Sequence, residues 1–341
     1  MVVLMKKTIS LLLVALFLFF GCTAPQPQEK TLTIYTYDSM VSEYGLGPKV
    51  VPKFEEECGC KVNMVALGDA GQVLNRAIIE KNNPKADVII GVDNSLASKA
   101  IEAGIFEPFV PSNFGIVPQD LRFDATNSLI PFDYGFIAFV YDSEKVGFEP
   151  KSFEDLLRPE LEKKIVVENP RTSSPGLALL LWTVAVYGDP GYKDYWEKLK
   201  PNILTVTPGW DEAAGMFRAG EAPIYLSYAT SPPYYVEFEG ITTFRVATFE
   251  EGHYLQVEGM GLVKGAKNRE LAKQFIEFAL TESFQEEIPL NQFMFPVNQE
   301  AELPPEFDYA ARPSKKVLLD DALAEEKQEG WIAEWEKIMS S

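Results

Sequence analysis

A run of hydroxyl side chains stands at residues 169–176 (NPRTSSPG), between a predicted strand and a predicted helix. Ser173 or Ser174 is a suitable N-cap residue, and Pro175 fits the first turn of a helix. The free backbone N–H groups at such a helix start can bind an anion, for example a phosphate group. The run lacks the GxxxxGK[ST] spacing of a P-loop, so it does not predict a nucleotide hydrolase. A plain helix cap is the alternative.

Aromatic residues gather at the ends of predicted elements, away from the spacing of a packed helix face. They are Tyr37, Tyr44, Trp210, Tyr228, Tyr234, Tyr235 and Phe293. Because loops run over surfaces and clefts, these residues are candidates for the walls of a binding site. An aromatic cleft suits a flat, delocalised cation, and each stacked face contributes roughly 0.5 to 2 kcal/mol. Ordinary packing is the alternative for each of them.

Two carboxylates lie at or just after the ends of predicted strands. Asp38 follows the first strand and Asp69 follows the second. Either side chain is suited to accept a hydrogen bond from a ligand, and either is equally suited to cap a helix or a turn. Both roles stay open at this point, because the choice depends on which donors the fold brings to each carboxylate.

Cysteine and histidine are too few for most catalytic or metal-binding arrangements. Cys58 and Cys60 are separated by a single glycine, which is not the CxxC spacing of redox and zinc sites. We therefore expect either a local staple of a turn or two unreactive thiols. His253 is the single histidine, so a His-rich zinc site is excluded and a Ser-His-Asp triad would have to use this residue. The sequence predicts no catalytic residue and no metal ligand.

The N-terminal segment has the pattern of an export signal. Lys6 and Lys7 precede an unbroken apolar run whose length is typical of a signal peptide and too short for a spanning helix. The run ends in a Gly-Cys pair that resembles a lipobox, so cleavage would leave Cys22 as the lipidated first residue. We expect a signal peptide at residues 1–21 and the lipidated cysteine with a polar tether at residues 22–30. An ordinary cysteine near a conventional cleavage site is the alternative.

The overall composition predicts a folded, acidic protein with two lobes. The chain has 341 residues, whereas a single domain typically has about 150. A hydrophobic fraction of 46% is enough to fill the cores of both. Lysine and arginine number 31 against 50 aspartate and glutamate residues, which gives a net charge of −19. Nucleic acid is therefore not expected as a partner, since this surface would repel a polyanion.

Strands and helices alternate along the rest of the chain. Alternating apolar and β-branched residues predict strands, and apolar residues at helical spacing predict helices. Strands are predicted at residues 31–39, 61–67, 87–92, 131–142, 164–167, 203–207, 223–228 and 253–263. Helices are predicted at residues 48–58, 73–78, 94–103, 175–187, 210–219 and 269–280. Repeated strand-helix-strand units indicate an α/β protein with mostly parallel sheets and helices on their faces.

Two long stretches, residues 131–142 and 253–263, predict strands that cross between the lobes. We therefore expect a discontinuous first lobe made of residues 31–134 and 253–341, and a second lobe made of residues 135–252. The cleft between the lobes would face the carboxyl ends of the strands, where α/β proteins bind their ligands.

Several blocks of this sequence resemble one known family. They are TLTIYTYDS, GLGPKVVPKFEEECGCKVNMVALGD, KADVIIGVDN, PFDYGFIAFVYD, NPRTSSPGLALLLW, TPGWDEA, LSYATSPPYY, EGHYLQVE and FMFPV. In this order, from Thr31 to about Trp335, the chain is similar to the periplasmic thiamine-binding proteins of ABC importers. The resemblance implies a two-lobed type II periplasmic-binding-protein fold that closes around thiamine or its phosphate esters. It also implies delivery to a membrane permease, an extracytoplasmic location, no catalytic activity and no cofactor besides the transported ligand.

The family motifs carry a ligand site over to this chain. It consists of Tyr37, Tyr44, Gly68, Asp69, Ser173, Ser174, Trp210, Tyr228, Ala229, Thr230, Ser231, Tyr234 and Phe293. Asp38 is added to this site as a carboxylate at the end of the first strand. The aromatic rings would stack on the aminopyrimidine and the cationic thiazolium of thiamine. Asp69 would accept a hydrogen bond from the amine, and the helix start at Ser173 would hold a phosphate. The chain departs from the family at Tyr44 and Phe293, where Trp is frequent, and at Gly68, where an acidic residue is common.

Two alternatives keep the fold and change the function. The adjacent Tyr234 and Tyr235 resemble the tyrosine pair of ferric-ion-binding relatives, with His253 as a further candidate ligand. A thiaminase-like enzyme would instead attack thiamine with a cysteine, for which Cys58 and Cys60 are the candidates. An iron-loaded protein that ignores thiamine would support the first alternative. Release of a pyrimidine product that stops on cysteine alkylation would support the second.

Overall fold

A computed structural model describes residues 30–341, so the predicted signal peptide, Cys22 and most of the tether lie outside the described residues. The strands are β1 (Thr31–Thr36), β2 (Lys61–Ala66), β3 (Val88–Asp93), β4 (Phe106–Glu107), β5 (Ile130–Asp142), β6 (Ile165–Glu168), β7 (Ile203–Thr207), β8 (Ile224–Tyr228), β9 (Phe244–Ala247), β10 (His253–Val263), β11 (Phe295–Pro296) and β12 (Lys316–Val317). None of the helices described below combines the length and the apolar character needed to cross a bilayer, as far as residues 30–341 are concerned.

The strands alternate with helices, as the sequence predicts. The α-helices are α1 (Gly47–Cys58), α2 (Ala70–Glu80), α3 (Ala97–Glu102), α4 (Ser174–Tyr187), α5 (Gly191–Leu199), α6 (Trp210–Arg218), α7 (Pro232–Glu239), α8 (Arg269–Phe278), α9 (Glu282–Gln285), α10 (Ile288–Asn291) and α11 (Asp321–Ser340). Short 3-10 helices lie at Ser39–Val41, Phe114–Ile116, Gln119–Leu121, Glu154–Leu157, Pro159–Leu161, Lys200–Asn202 and Pro305–Tyr309. Each strand and helix predicted from the sequence is present, with its bounds moved by a few residues.

Strand pairing follows the order β2-β1-β3-β10-β5-β8-β6-β7. At one end β1 pairs in parallel with β2 and β3, and at the other end β6 pairs in parallel with β7 and β8. In the middle, β5 and β10 run antiparallel to each other, β10 antiparallel to β3, and β5 antiparallel to β8. The result is a mixed sheet, parallel at both ends, in which the long central strands run against their neighbours.

The two longest strands connect the two ends of this arrangement. Residues 130–136 of β5 pair with β10, and residues 137–142 pair with β8 and β9. We call β2, β1, β3, β10 and the first part of β5 the first sheet, and the second part of β5 with β8, β6 and β7 the second sheet. The side chains of β10 are buried along its whole length. The strands predicted at 131–142 and 253–263 therefore run where the two sheets meet.

Helix α4 is fixed at the junction of the two sheets. Its sequence, SPGLALLLWTVAVY, is apolar on all sides and residues 174–184 are buried, as expected for a helix inside a core. The helix contacts β5, β6, β8 and β10. Trp182 packs edge-on against Phe153, with 4.5 Å between the ring centroids. Because this packing fixes the helix axis, the first residues of α4 are held next to the ends of the strands that line the site.

The C-terminal helix α11 packs on the helices of the second sheet. It contacts α4 and α5, and it also contacts α3. Trp331, Ile332 and Trp335 are its buried side chains. The Trp335 ring meets the Trp196 ring of α5 edge-on at 5.6 Å, and the Trp331 indole N–H donates to Asp189 at 3.1 Å. A helix that lies within residues 253–341 thus packs largely against residues 135–252.

Candidate functional site

A cavity of about 270 Å³ lies where the ends of the strands meet the starts of helices α2, α4 and α6. Several predicted site residues line it, namely Tyr37, Tyr44, Gly68, Asp69, Ser174, Trp210, Tyr228, Ser231, Tyr234 and Phe293. Residues that are distant in the sequence are therefore brought together around one cavity. The cavity wall also includes Glu258, Gln292 and Arg218, which sequence reasoning did not select.

Four predicted site residues are not part of the cavity wall and support it from behind. The Asp38 carboxylate accepts the Gly68 N–H at 2.9 Å, and the Ser173 hydroxyl caps α4 by accepting the Gly176 N–H at 3.4 Å. Ala229 and Thr230 are fully buried. The Ala229 N–H donates to the Phe136 carbonyl at 2.8 Å, which ties the end of β8 to β5. These residues hold the backbone that presents their neighbours to the cavity.

Asp69 joins the starts of three helices. It is the N-cap of α2, and its Oδ1 accepts the Ala70 N–H at 2.6 Å and the Ser174 N–H of α4 at 3.1 Å. Its Oδ2 accepts the Trp210 N–H of α6 at 3.0 Å. Because each helix start carries partial positive charge, three of them together stabilise a carboxylate. The predicted anion site at Ser174 is thus occupied by a carboxylate of the protein itself.

The approach of α2 to α4 that makes this possible depends on a glycine. A Cβ atom on Gly71 would lie 2.7 Å from the carbonyl oxygen of Thr172, closer than real Cβ atoms come to backbone oxygen. Burial raises the pKa of the Asp69 carboxyl, while the N–H groups of Trp210, Ser174 and Ala70 oppose this rise. A ligand group that took these N–H donors would therefore remove the hydrogen bonds that favour the ionised form of Asp69.

A chain of hydroxyl groups fixes the ring of Trp210 in the cavity wall. Its indole N–H donates to the Ser227 hydroxyl at 2.8 Å, and the Ser227 and Ser231 hydroxyls lie 2.7 Å apart. Ser231 also accepts the Tyr228 N–H at 3.2 Å. The serines of residues 227–231 (SYATS) therefore position two aromatic rings, because they bond the indole of Trp210 and the backbone N–H of Tyr228.

Four aromatic residues form a cluster at the solvent-exposed edge of the cavity, and we call Tyr44, Tyr234, Phe238 and Phe293 the aromatic mouth. The Tyr44 and Phe238 rings lie 4.7 Å apart, and Tyr234 lies 5.3 Å from both Phe238 and Phe293. Tyr44 is 46% exposed and Phe238 is 39% exposed. Phe238 was missed in the sequence, although its position four residues after Tyr234 places the two on one face of α7.

Glu258 is the centre of a buried hydrogen-bond network at the inner end of the cavity. Its Oε2 accepts the Tyr37 hydroxyl at 2.8 Å, and its Oε1 accepts the Gln256 amide at 3.2 Å. Gln256 donates in addition to the Tyr228 hydroxyl at 3.0 Å, and Gln292 donates to the Tyr37 hydroxyl. Burial raises the pKa of Glu258 to about 8. Glu258 could have been selected from the sequence as the single carboxylate within β10, a strand whose residues are all buried.

Two of the three residues of the ferric-ion alternative, Tyr235 and His253, already have hydrogen-bond partners within the protein. The Tyr235 hydroxyl lies 2.7 Å from that of Tyr225. His253 is fully buried, and its Nε2 accepts the Phe249 N–H at 2.9 Å while Nδ1 lies 2.8 Å from the Ile137 carbonyl oxygen. Burial lowers the pKa of His253 to about 4. Within residues 30–341, no three His, Cys, Asp or Glu side chains are grouped so as to hold a metal ion.

The two cysteines form a disulfide between the end of α1 and the start of β2. Gly59 between them adopts a left-handed conformation, with φ of 60°, and caps α1. The expectation of a local turn staple is therefore confirmed, and the pair of free thiols is not found. Neither cysteine lines the cavity. A disulfide sulfur is not the thiolate nucleophile that a thiaminase-like reaction requires.

Comparison with known proteins agrees with this geometry. Residues 83–317 match the family model described as bacterial extracellular solute-binding protein. The thiamine-binding periplasmic protein of Brucella suis is 41% identical over 332 residues, which cover 96% of this chain and 98% of the relative. The protein of the same name from Escherichia coli K12 is 39% identical over 337 residues, which cover 98% of this chain and 99% of the relative.

A solved structure titled periplasmic thiamin binding protein has the same architecture. It superposes with a TM-score of 0.86 at 38% identity and covers 92% of this chain and 97% of that chain. The predicted α/β fold of the type II periplasmic binding proteins and the predicted family resemblance are both confirmed. The chain belongs to the bacterial extracellular solute-binding proteins, and within them to the family of the thiamine-binding periplasmic proteins.

Proposed function

We propose that this protein captures thiamine outside the cytoplasm and delivers it to the permease of an ABC importer. The observation that carries the proposal is a cavity that combines aromatic rings with a buried carboxyl group, Glu258. Thiamine joins a flat aminopyrimidine to a flat thiazolium cation, so aromatic faces and a carboxyl are the groups that complement it. The names of the relatives from Brucella suis and Escherichia coli support the same ligand.

The size and charge of the cavity suit a small organic cation such as thiamine. Its volume of about 270 Å³ lies just below the range of roughly 300–1,000 Å³ usual for small-molecule pockets. Arg218, a basic residue in the wall, is paired with Glu239 at 2.7 Å. Its charge is therefore partly neutralised within the protein. We assign the fourteen residues predicted from the sequence to this site, with the cavity-lining ones in contact with the ligand and the others behind them.

Capture and release follow from a hinge between two lobes. We propose that residues 31–134 with 253–341 form one lobe, that residues 135–252 form the other, and that β5 and β10 bend between them. Helix α11, although it falls within residues 253–341, packs on α4 and α5 and would move with the second lobe. Asp69 of the first lobe bonds Ser174 and Trp210 of the second, so these contacts belong to the closed form. Ligand binding would favour that form, and docking on the permease would reopen it.

The proposal extends to phosphate esters and to the membrane. To bind at the starts of α4 and α6, the phosphate of a thiamine phosphate would displace the Asp69 carboxylate from the N–H groups of Ser174 and Trp210. Residues 1–21 would direct export, and lipidation of Cys22 would anchor the mature protein to the membrane. The protein acts as a carrier and has no catalytic step. Incorporation of a labelled fatty acid that is lost in the Cys22→Ser variant tests the anchor.

Calorimetric titration of the mature protein with thiamine, its monophosphate and its diphosphate tests the function. Trp210→Ala and Tyr228→Ala should each weaken thiamine binding by about ten-fold or more, since 1.4 kcal/mol corresponds to a factor of ten. Tyr309→Ala is the matched control, because Tyr309 is 45% exposed and does not line the cavity. Failure of all three ligands to bind the unmodified protein would refute the proposed function. Unchanged affinity in both cavity variants would refute the site.

A further inference from the structure

Three carboxyl groups stand side by side across three neighbouring strands at the inner end of the cavity. Strand β10 lies between β3 and β5, and the register places Glu258 opposite both Asp93 of β3 and Asp133 of β5. Residues directly opposite each other on neighbouring strands project on the same face of the sheet. We call Asp93, Glu258 and Asp133 the carboxyl row. Glu258 lines the cavity, and the two aspartates beside it are fully buried.

Hydrogen bonds satisfy the carboxyl row only in part. Oδ1 of Asp93 accepts the backbone N–H groups of Ser95 and Leu96, at 2.9 and 3.0 Å. Both oxygens of Asp133 and Oδ2 of Asp93 are buried without a hydrogen-bond partner. In the part of the chain that the structure describes, no lysine, arginine or histidine forms an ion pair with any member of the row. Like charges on opposite residues destabilise a sheet, and an unpaired buried charge is costly. In its ionised form the row therefore lowers the stability of the fold, unless protons or a cation neutralise its charge.

The groups that face the row from other elements do not supply this compensation. Tyr37 of β1 and Gln256 of β10 donate hydrogen bonds to Glu258, while Asp69 at the start of α2 and Tyr228 of β8 complete its surroundings. Arg218 of α6 lines the cavity but is paired with Glu239. The neighbourhood is thus acidic or neutral, apart from one arginine with its own partner.

The protonation of the row follows from burial and mutual repulsion. Burial, and then the charges of Asp93 and Asp69, raise the pKa of Glu258 to about 8. Burial raises the pKa of Asp93 to about 7, and burial together with Glu258 raises the pKa of Asp133 well above its usual range. At neutral pH, burial and mutual repulsion therefore favour the protonated forms of Glu258 and Asp133, since no basic side chain pairs with the row.

We propose that the carboxyl row recognises a permanently cationic aromatic ring, and that binding of this ring drives a proton from the row into solvent. The cation takes the place of the proton as the charge that balances Glu258, so the overall charge of the site is conserved and no covalent bond to the ligand forms. This inference rests on the proposed function, since the thiazolium of thiamine is such a ring. Trp210 and Tyr228, which line the same cavity as Glu258, favour a flat organic cation over an inorganic one.

Calorimetry with a charged and a neutral ligand tests the proposal. The charged probe is thiamine, and the neutral probe is its analogue with a thiophene ring in place of the thiazolium. For the unmodified protein we expect thiamine affinity to rise by up to ten-fold per pH unit toward pH 8, as for one linked proton. Titrations near pH 7 in buffers of different ionisation enthalpy should show release of up to one proton. The neutral analogue should bind at least ten-fold more weakly, without this pH dependence.

Variants that keep the shape of the row distinguish charge recognition from packing. Glu258→Gln and Asp133→Asn should each lose at least ten-fold in thiamine affinity at pH 8 and release less than half as much proton. Their affinity for the neutral analogue should stay within about two-fold, which also shows that the cavity is folded. Glu300→Gln is the control, because it removes the same charge from an exposed position and should change nothing.

The possible failures are distinct. An unmodified protein that does not bind thiamine overturns the proposed function. An unmodified protein that binds thiamine and its neutral analogue equally, with no proton release, overturns the role of the carboxyl row and leaves the proposed function standing. Thiamine affinity and proton release that are unchanged in both Glu258→Gln and Asp133→Asn overturn it as well. If one variant fails to fold, the other variant and the comparison of thiamine with its neutral analogue on the unmodified protein still test the role of the row.

Discussion

At the scale of single residues, Asp69 shows what the sequence could and could not predict. Its position after β2 was compatible with a helix cap or with a ligand contact, and it is indeed the cap of α2. Its bonds to Ser174 and Trp210 could not be predicted, because they join positions 105 and 141 residues apart. Only the packing of α2 against α4 and α6 brings those N–H groups to one carboxylate.

Replacement of Asp69 should shift the ligand preference of the site toward phosphate esters. Asp69→Ala frees the N–H groups of Ser174 and Trp210 for a phosphate, while loss of the cap costs about 0.5–2 kcal/mol of unfolding free energy. We expect the ratio of monophosphate to thiamine affinity, measured by calorimetry, to rise at least three-fold. Asp320→Ala is the matched control, because Asp320 caps α11 through the Leu323 N–H, away from the cavity. An unchanged ratio in Asp69→Ala would contradict this role.

The carboxyl row should make the empty protein less stable as the pH rises. Glu258 holds its proton in the folded state until about pH 8, but releases it near pH 4.5 when unfolded. The stability that its retained proton contributes at low pH is therefore lost progressively between these values. Relative to the unmodified protein, Glu258→Gln should gain at least about 3 °C in Tm between pH 5 and pH 8. Thermal unfolding without ligand measures this, and a difference in Tm that does not vary with pH would contradict it.

At the scale of elements, the sequence predicts the strands and helices whose residue pattern is visible within one short stretch of chain. Helix α4 and strands β5 and β10 have long apolar runs and are found where expected. Helix α7 was missed because it begins with Pro232 and Pro233, which read as a loop although proline fits the first helical turn. The carboxyl row was missed for another reason: it depends on the register between strands that are distant in sequence, and a single strand does not reveal its partners.

The aromatic mouth should slow the escape of the ligand. Phe238 of α7 contacts Tyr44, which lies in the other proposed lobe, at 4.7 Å between ring centroids. An aromatic pair of this kind contributes about 0.5–1.5 kcal/mol beyond its buried area. Phe238→Ala should therefore raise the dissociation rate of thiamine by about 2- to 12-fold and change the association rate little, as measured by stopped-flow tryptophan fluorescence. Tyr309→Ala serves again as the exposed control. A change confined to the association rate would contradict this role.

At the scale of the whole molecule, α11 contacts both proposed lobes in different ways. Toward α5 it buries Trp335 against Trp196. Toward α3 its contact includes an exposed pair of Lys99 and Glu329 at 3.6 Å. Exposed ion pairs contribute about 0–1 kcal/mol, whereas a buried aromatic side chain contributes several times more. Helix α11 should therefore move together with the second sheet when the lobes open, and its contact with α3 should break at little cost.

Two substitutions on opposite sides of α11 test this difference. Trp335→Ala should lower the free energy of unfolding by about 3–5 kcal/mol, because the ring is buried between α11 and α5. Lys99→Ala should lower it by less than about 1 kcal/mol, because its ion pair with Glu329 is exposed. Denaturant unfolding with calorimetry on the same samples measures stability and thiamine affinity together. Neither substitution should change the affinity more than about three-fold, since neither residue lines the cavity. The opposite result, a large loss of stability in Lys99→Ala and a small one in Trp335→Ala, would mean that α11 is held by the first sheet. In that case α11 would separate from α5 when the lobes open.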